Sequence, residues 1–383
     1  MIIQSKRIWI AGQFMKAQLR IEEGIIQSVY NYGEKRPDRD FKNLRVVPGF
    51  LDIHTHGAYG YDTNDGESSG LREWVRRIPE EGVTALLPTT ITQKPEILNQ
   101  ALENMATVIK EGYQGAEILG VHLEGPFLNM KYKGAQPQEA IKPPSVSQFK
   151  DYQRAAKGAI KYITLAPELD EGYSLTKYCK ENGVVVSMGH SAATYEQALL
   201  AVANGVTSMT HVYNGMSPYH HRQPGLVGTA LRIKELYGEI ICDGCHSHVA
   251  ALNNYYMAKG RSHAIMVSDS LRAKSCPPGG DYKLGGHEIE IREDGLAYLK
   301  GTETIAGSTL KINEGLRILV EEAMVPFDFA LNSCTLNPAK CLGIGDKKGQ
   351  LSAGYDADLV VLGDQYEVIE TYCKGKKFWG NER

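Results

Sequence analysis

Val46-Val47-Pro48-Gly49-Phe50-Leu51-Asp52-Ile53-His54-Thr55-His56-Gly57 is an apolar run that stops on two histidines. Alternate side chains of an extended strand share a face, so His54 and His56 project the same way. A bare His-x-His pair is a weak signal, equally open to a structural reading. Closing a buried strand, and followed by glycine, it becomes a strong one. Four further motifs repeat the arrangement: His122-Leu123-Glu124-Gly125-Pro126, Gly189-His190-Ser191, His211-Val212-Tyr213-Asn214 and Ser268-Asp269-Ser270. Each follows an apolar, β-branched run of the kind that forms a strand buried on both faces. In a (β/α)8 TIM barrel the strand C-termini converge on one mouth, so residues far apart in sequence meet there. Imidazoles and carboxylates meeting in that mouth are the ligand set of a hydrolytic metal centre.

Outward from these strand ends, the middle of the chain alternates strand and helix, the pattern of an α/β fold. The strands are expected at Val46 to His56, Val83 to Thr90, Ile118 to Glu124, Ile163 to Pro167, Val184 to His190, Ser208 to Asn214, Glu239 to Asp243 and Ala264 to Asp269. Pro95 to Lys110 reads as an amphipathic helix with Leu98, Ala101, Leu102, Met105 and Ile109 on one face. The polar stretch Leu128 to Pro144 is expected as a loop over the mouth, and Leu284 to Lys300 as a β-hairpin turning at Glu293-Asp294-Gly295. Short alternating segments, Arg7 to Ile10, Gln18 to Ile21 and Ile25 to Val29, recur in character only at Ala357 to Leu362 and Tyr366 to Ile369. Neither end holds enough sheet to stand alone. Residues 1–49 and 350–383 are therefore expected to combine as one small β-sandwich, with the barrel, 50–349, inserted between them.

The 383 residues, 42% hydrophobic and 23% charged, have the composition of a soluble globular protein. A net charge of -3 supplies no basic field for nucleic acid. No apolar run approaches the ~20 residues that span a bilayer. The first residues lack the apolar core of a secretory signal. Seven cysteines, an odd number, do not suggest a disulfide framework, so a cytoplasmic protein is expected. Cys242-Asp243-Gly244-Cys245 lacks a second pair and reads as two buried small hydrophobes rather than a redox or zinc motif.

Glu124 ends an apolar strand, where a carboxylate is costly unless a cation compensates it. A loop glutamate paired with a base is the alternative, and no basic residue adjoins it. A single strand-end histidine is commonly a hydrogen-bonded core residue; His190 and His211 at corresponding positions favour ligands. Asp269 fits a general base that later serves as general acid, or a metal ligand, and the roles can coexist.

Pro48 to Gly57, His122-Leu123-Glu124-Gly125-Pro126-Phe127, Leu165-Ala166-Pro167-Glu168, Gly189-His190-Ser191, Arg222-Gln223-Pro224-Gly225, Asp243-Gly244 with His246, and Ala306-Gly307-Ser308 carry a resemblance that runs almost end to end. The chain resembles the amidohydrolase superfamily of metal-dependent hydrolases, and within it the N-acetylglucosamine-6-phosphate deacetylase family. Many superfamily members bridge two metals with a carboxylated lysine on strand four; Ile163 to Pro167 has none. The resemblance implies that Glu124, His190 and His211 hold a metal and that His54 and His56 match the extra pair of two-metal members. It makes Asp269 the catalytic aspartate, and Ala135, Asn214, Gly215, Arg222, His246, Ile305, Ala306 and Gly307 substrate contacts. Gln136, a further expected substrate contact, stands where the family often has a histidine to polarise the acetyl carbonyl, and can donate a hydrogen bond but no charge. The implied cofactor is one or two divalent ions, zinc or iron first, manganese or cobalt also suiting the ligands. The implied reaction is hydrolysis of N-acetyl-D-glucosamine 6-phosphate to D-glucosamine 6-phosphate and acetate, by a homodimer in which Arg222 reaches a neighbouring subunit's phosphate site. A different N-acetylated amino sugar phosphate is the alternative substrate. A scaffold that had lost its chemistry should have lost ligands, and every candidate ligand is present.

Overall fold

The computed structural model describes residues 1–277, 279–292 and 295–380. The stretch Val46 to His56 is two strands rather than the expected one: Arg45–Pro48 joins a sheet built from the chain ends, and Phe50–Thr55 begins a parallel sheet. The break is Gly49. Its amide donates to the Asp358 carbonyl at 2.9 Å, and a Cβ there would collide with the Thr84 side chain. Only a residue without a side chain fits so close an approach.

Beyond Gly49, the strands Phe50–Thr55, Val83–Thr90, Val121–Glu124, Ile160–Leu165, Val185–Met188 and Ser208–Met209 pair in parallel, each with the next. Glu117–Ile118 pairs separately with Val83–Thr90, so the expected strand Ile118 to Glu124 is interrupted at Leu119-Gly120. Gly238–Ile241 and Ala264–Val267 form a second parallel pair. Backbone bonds link the two sets at both sides. Met209 donates to Tyr237 at 3.0 Å and Val212 to Glu239 at 2.8 Å; Asp269 donates to His54 at 2.8 Å and His56 to Ser270 at 2.7 Å. All eight expected strands of the middle region are thus present: Val83–Thr90 keeps its expected bounds, Ile160–Leu165 starts earlier than expected, and the others are shorter than drawn from sequence. The helices between them include Pro95–Glu111, which buries Leu98, Ala101, Leu102 and Met105 as its periodicity demands. Trp74, Tyr162, Tyr255 and Tyr256 are fully buried in the same core.

Leu128 to Pro144 carries no strand and no α-helix, only the short 3-10 turns Met130–Tyr132 and Gln138–Ala140. The expected hairpin is a three-stranded antiparallel sheet, Tyr282–Leu284, His287–Ile291 and Ala297–Leu299. Its first turn is Gly285-Gly286, both at positive φ, a turn missed in the sequence. Glu293 and Asp294 of the expected turn lie outside the described residues.

The chain ends do combine. One sheet runs Lys376–Trp379, Val368–Cys373, Leu359–Leu362, Arg45–Pro48, Ile2–Ile10, Gln13–Glu22 and Ile25–Asn31, with Arg39–Asp40 also on Ile2–Ile10. Its far edge returns on the segment ahead of Leu359: Ile26 donates to Tyr355 at 2.9 Å and Ala357 to Gly24 at 2.7 Å. Ile3, Ile8, Leu19, Ile26, Val46, Leu359 and Val361 fill a core of its own. Cys242 is buried as expected but Cys245 is exposed, since the chain has left the strand by then; none of the seven cysteines is in a disulfide. No helix among the described residues is long and apolar enough to cross a membrane.

Candidate active site

Three of the strand-end residues leave their strands in the left-handed backbone region: His190 at φ 46°, His211 at φ 29° and Asp269 at φ 49°. Non-glycine residues enter that region at a cost of about 1–3 kcal/mol, and persist there only where the surroundings hold them. Here the twist comes two residues past the end of a strand whose closing residues are buried.

The side chains meet. His54 Nε2 lies 3.4 Å from Glu124 Oε1 and 3.4 Å from Asp269 Oδ1. His56 Nε2 is 3.3 Å from Glu124 Oε2 and 3.1 Å from Asp269 Oδ1. His190 Nε2 and His211 Nε2 are 3.3 and 3.2 Å from Glu124 Oε1, and 3.1 Å from each other. Three groups of three emerge among the described residues, each with its ligand atoms within 4.8 Å of one another: His54/His56/Asp269 and Glu124/His190/His211 at the cavity, and His54/His122/Glu239 behind them.

These spacings fit a metal. Ligands ~2.0–2.1 Å from one ion stand ~3.0–3.4 Å apart for octahedral to tetrahedral angles. The outward nitrogen of every histidine faces an acceptor: His54 Nδ1 faces Glu239 Oε2 at 2.8 Å, His56 Nδ1 the Thr89 carbonyl at 3.1 Å, His190 Nδ1 the Tyr132 carbonyl at 2.8 Å, and His211 Nδ1 the Asn214 carbonyl at 3.1 Å. A carbonyl only accepts, so Nδ1 carries the proton and Nε2 turns a lone pair inward. His54 Nε2 is buried with no hydrogen-bond partner, which a bound cation would answer.

Electrostatics points the same way. Burial would raise Asp269, but His54 and His56 outweigh it and hold the carboxyl at about 2. Burial would lower His56, but Asp269 and Glu124 carry it to about 10. Burial likewise opposes ionisation of Glu124, and His54, His190 and His211 still hold it well below the usual carboxylate range. Two buried carboxylates demand positive charge, which protons on the imidazoles or a divalent ion in their place can supply.

A cavity of about 320 Å³ opens onto this cluster. His56, Glu124, His190, His211 and Asp269 line it, with Ala135, Gln136, Asn214, Gly215, His246, Ile305 and Gly307. Of the expected residues, His54 and Ala306 are fully buried and outside the lining. Arg222 is exposed and also absent from the lining, its guanidinium 2.8 Å from His221 Nε2. His246 is oriented by Asp243, 2.6 Å from its Nδ1. Asn214 Nδ2 is buried without a partner. Gln136 is buried, donating to Glu124 Oε2 at 2.7 Å and accepting from the Thr92 amide at 2.9 Å. Glu239 was missed in the sequence, and Glu168, quoted there as part of a motif, was given no role. Glu168 accepts from Ser191 Oγ and the Ala192 amide, both at 2.6 Å, and so anchors the turn after His190. The signal for Glu239 was the one that singled out Glu124, a carboxylate inside an apolar strand.

Residues 45–378 match the amidohydrolase family, and the chain belongs to it. More particularly, it is 45% identical over 335 residues to the N-acetylglucosamine-6-phosphate deacetylase of Bacillus subtilis (strain 168), covering 86% of this chain and 83% of that one. A mutant N-acetyl-D-glucosamine-6-phosphate deacetylase from Mycobacterium smegmatis, solved in complex with N-acetyl-D-glucosamine-6-phosphate, superposes with a TM-score of 0.93 at 28% identity over 99% of each chain. The N-acetylglucosamine-6-phosphate deacetylase of Thermotoga maritima gives a TM-score of 0.89 at 30% identity over 100% of each.

Proposed function

We propose that this protein hydrolyses the acetamide of N-acetyl-D-glucosamine 6-phosphate, giving D-glucosamine 6-phosphate and acetate in the use of amino sugars. The observation that carries the reading is the convergence of four imidazole nitrogens and two carboxylates at the head of one cavity. The shared activity of relatives up to 45% identical supports the substrate.

His54, His56 and Asp269 on one side, and Glu124, His190 and His211 on the other, would hold one or two divalent ions, with Glu124 facing both sets. Zinc or iron suits the imidazole-rich ligands, with manganese or cobalt as further candidates. Such an ion, when bound, polarises the acetyl carbonyl and acidifies the attacking water. Asp269, held as the carboxylate, accepts the proton of that water at its cavity-facing oxygen. It returns the proton to the departing amine, without which the tetrahedral species would expel the water oxygen instead. Gln136 holds Glu124 in its rotamer rather than facing the acetyl group. The unpartnered Asn214 Nδ2 donates to a sugar or acetyl oxygen, and Ala135, Gly215, His246 and the Ile305–Gly307 segment shape the sugar site. No lysine or arginine lines the cavity among the described residues. Arg222 therefore fits a phosphate contact made across a homodimer, into a neighbouring subunit's cavity.

The parallel strands with their two backbone-bonded joints support a closed (β/α)8 barrel over 50–349. The recurving terminal sheet with its separate core supports a small β-sandwich from 1–49 and 350–383. Cysteines that form no disulfide accord with a cytoplasmic setting.

The test is acetate release from the phosphorylated sugar beside unphosphorylated N-acetylglucosamine, on metal-replete protein. Turnover of the phosphorylated sugar alone is expected. Equal turnover of both would remove the phosphate site, and turnover of neither would remove the substrate assignment.

A further inference from the structure

Glu239 has no role in the reaction as described, yet it is fully buried. It is the second residue of the strand Gly238–Ile241, 185 residues along the chain from His54. Its Oε2 lies 2.8 Å from His54 Nδ1, and its Oε1 has no hydrogen-bond partner. No lysine or arginine pairs with it among the described residues. The other imidazole nearby, His122, is engaged at Nε2 with Thr164 Oγ1 at 2.8 Å and at Nδ1 with the Ile53 carbonyl at 3.2 Å.

A buried carboxylate with one neutral partner is unfavourable; it is tolerated where positive charge lies within reach. His56, His190 and His211 rest their outer nitrogens on backbone carbonyls. His54 alone among the four rests on a side-chain carboxylate. A carboxylate behind an imidazole fixes its tautomer and ring plane and makes the opposite nitrogen a stronger donor. That opposite nitrogen is the buried, unpartnered Nε2 aimed between Glu124 and Asp269.

We propose that Glu239 is a positioning residue for the second cation, acting through His54 to bias the His54/His56/Asp269 side toward tight occupancy. The inference rests on the metal reading of the site given above. It adds that the two ion positions are unequal by construction: one is reinforced by a buried charge and the other by backbone carbonyls. Glu239 touches neither substrate nor ion; its effect passes through one imidazole ring.

The experiment is zinc binding by chelator competition on the full chain, with the site belonging to His54 assigned as the one lost in His54→Ala. Glu239→Gln, which can keep a hydrogen bond to Nδ1 but not the charge, is expected to weaken that site about 10-fold. Glu239→Leu is expected to weaken it by up to about 100-fold, with the other site changed less than threefold. Far-UV circular dichroism and the melting point of the chelated proteins show whether either variant is merely misfolded, and the glutamine form stands alone if the leucine form is. Glu239→Gln binding both ions within twofold of the parent would overturn the role, as would equal losses at both sites. A parent chain that binds no divalent ion would overturn the metal reading itself, a distinct failure.

Discussion

Replacing Lys274 with methionine strands a charge in the core. Lys274 and Glu81 are both fully buried, with Nζ 3.0 Å from Oε1 and 3.1 Å from Oε2. Among the described residues, the other hydrogen bond to Glu81 comes from the Ile312 amide, 3.3 Å from Oε2. At ~3 Å and an effective dielectric of ~20 the pair attracts by about 5 kcal/mol, part of which offsets the desolvation of the two ions. Without the ammonium, the carboxylate keeps its desolvation penalty and one long hydrogen bond. The expected loss is about 3–5 kcal/mol. The same ammonium opposes burial at Asp52, which burial has already raised to about 6, so its removal pushes Asp52 further up. The measurement is equilibrium urea unfolding of metal-replete protein followed by tryptophan fluorescence. The partner experiment is Lys274→Met with Glu81→Leu, which removes both charges and is expected to recover most of the loss. Asp269 is five residues upstream, and the Lys274 carbonyl accepts from the Tyr59 amide at 2.8 Å. Turnover of the folded fraction should therefore change little. A Lys274→Met protein within about 1 kcal/mol of the parent would refute the reasoning, as would a double variant no more stable than the single one.

Asp269→Asn should keep substrate binding and the Glu124/His190/His211 ion but lose about two or more powers of ten in kcat; unchanged turnover removes Asp269 from proton transfer. Gln136→Leu breaks the bonds to Glu124 and the Thr92 amide. It should weaken zinc binding about 10-fold and stability by about 1–3 kcal/mol, read by chelator competition and urea unfolding; unaltered zinc affinity would detach Gln136 from Glu124. Chelation of the metal should lower the melting point, since a ligand at 100 times its Kd stabilises the folded state by about 2.7 kcal/mol; coincident melting curves would argue against ions at this site.

Much of the site was legible before any coordinate. Histidines, glutamate and aspartate at the ends of apolar runs are local features, and so is the amphipathic face of Pro95–Glu111, because hydrophobic period and residue type are properties of a few neighbouring positions. The run of parallel strands alternating with helices followed from counting those runs. Other matters depended on residues distant in sequence. Gly49 splits its strand because Thr84 and Asp358 crowd it, and neither is nearby in the chain. Gln136, expected to face the substrate, turns to Glu124, and Arg222 lies outside the cavity of its own chain. Glu239 meets His54 only because strands distant in sequence face one another across the sheet interior. The left-handed turns at His190, His211 and Asp269 contradict local preference and exist because the packed strands leave the chain no other exit. Sequence by itself determined which chemistry the strand ends carry, since that is written in residue type and short-range pattern. Tertiary structure decided which groups support them and how far apart they stand, because those distances are set by strand pairing between segments the local pattern cannot relate.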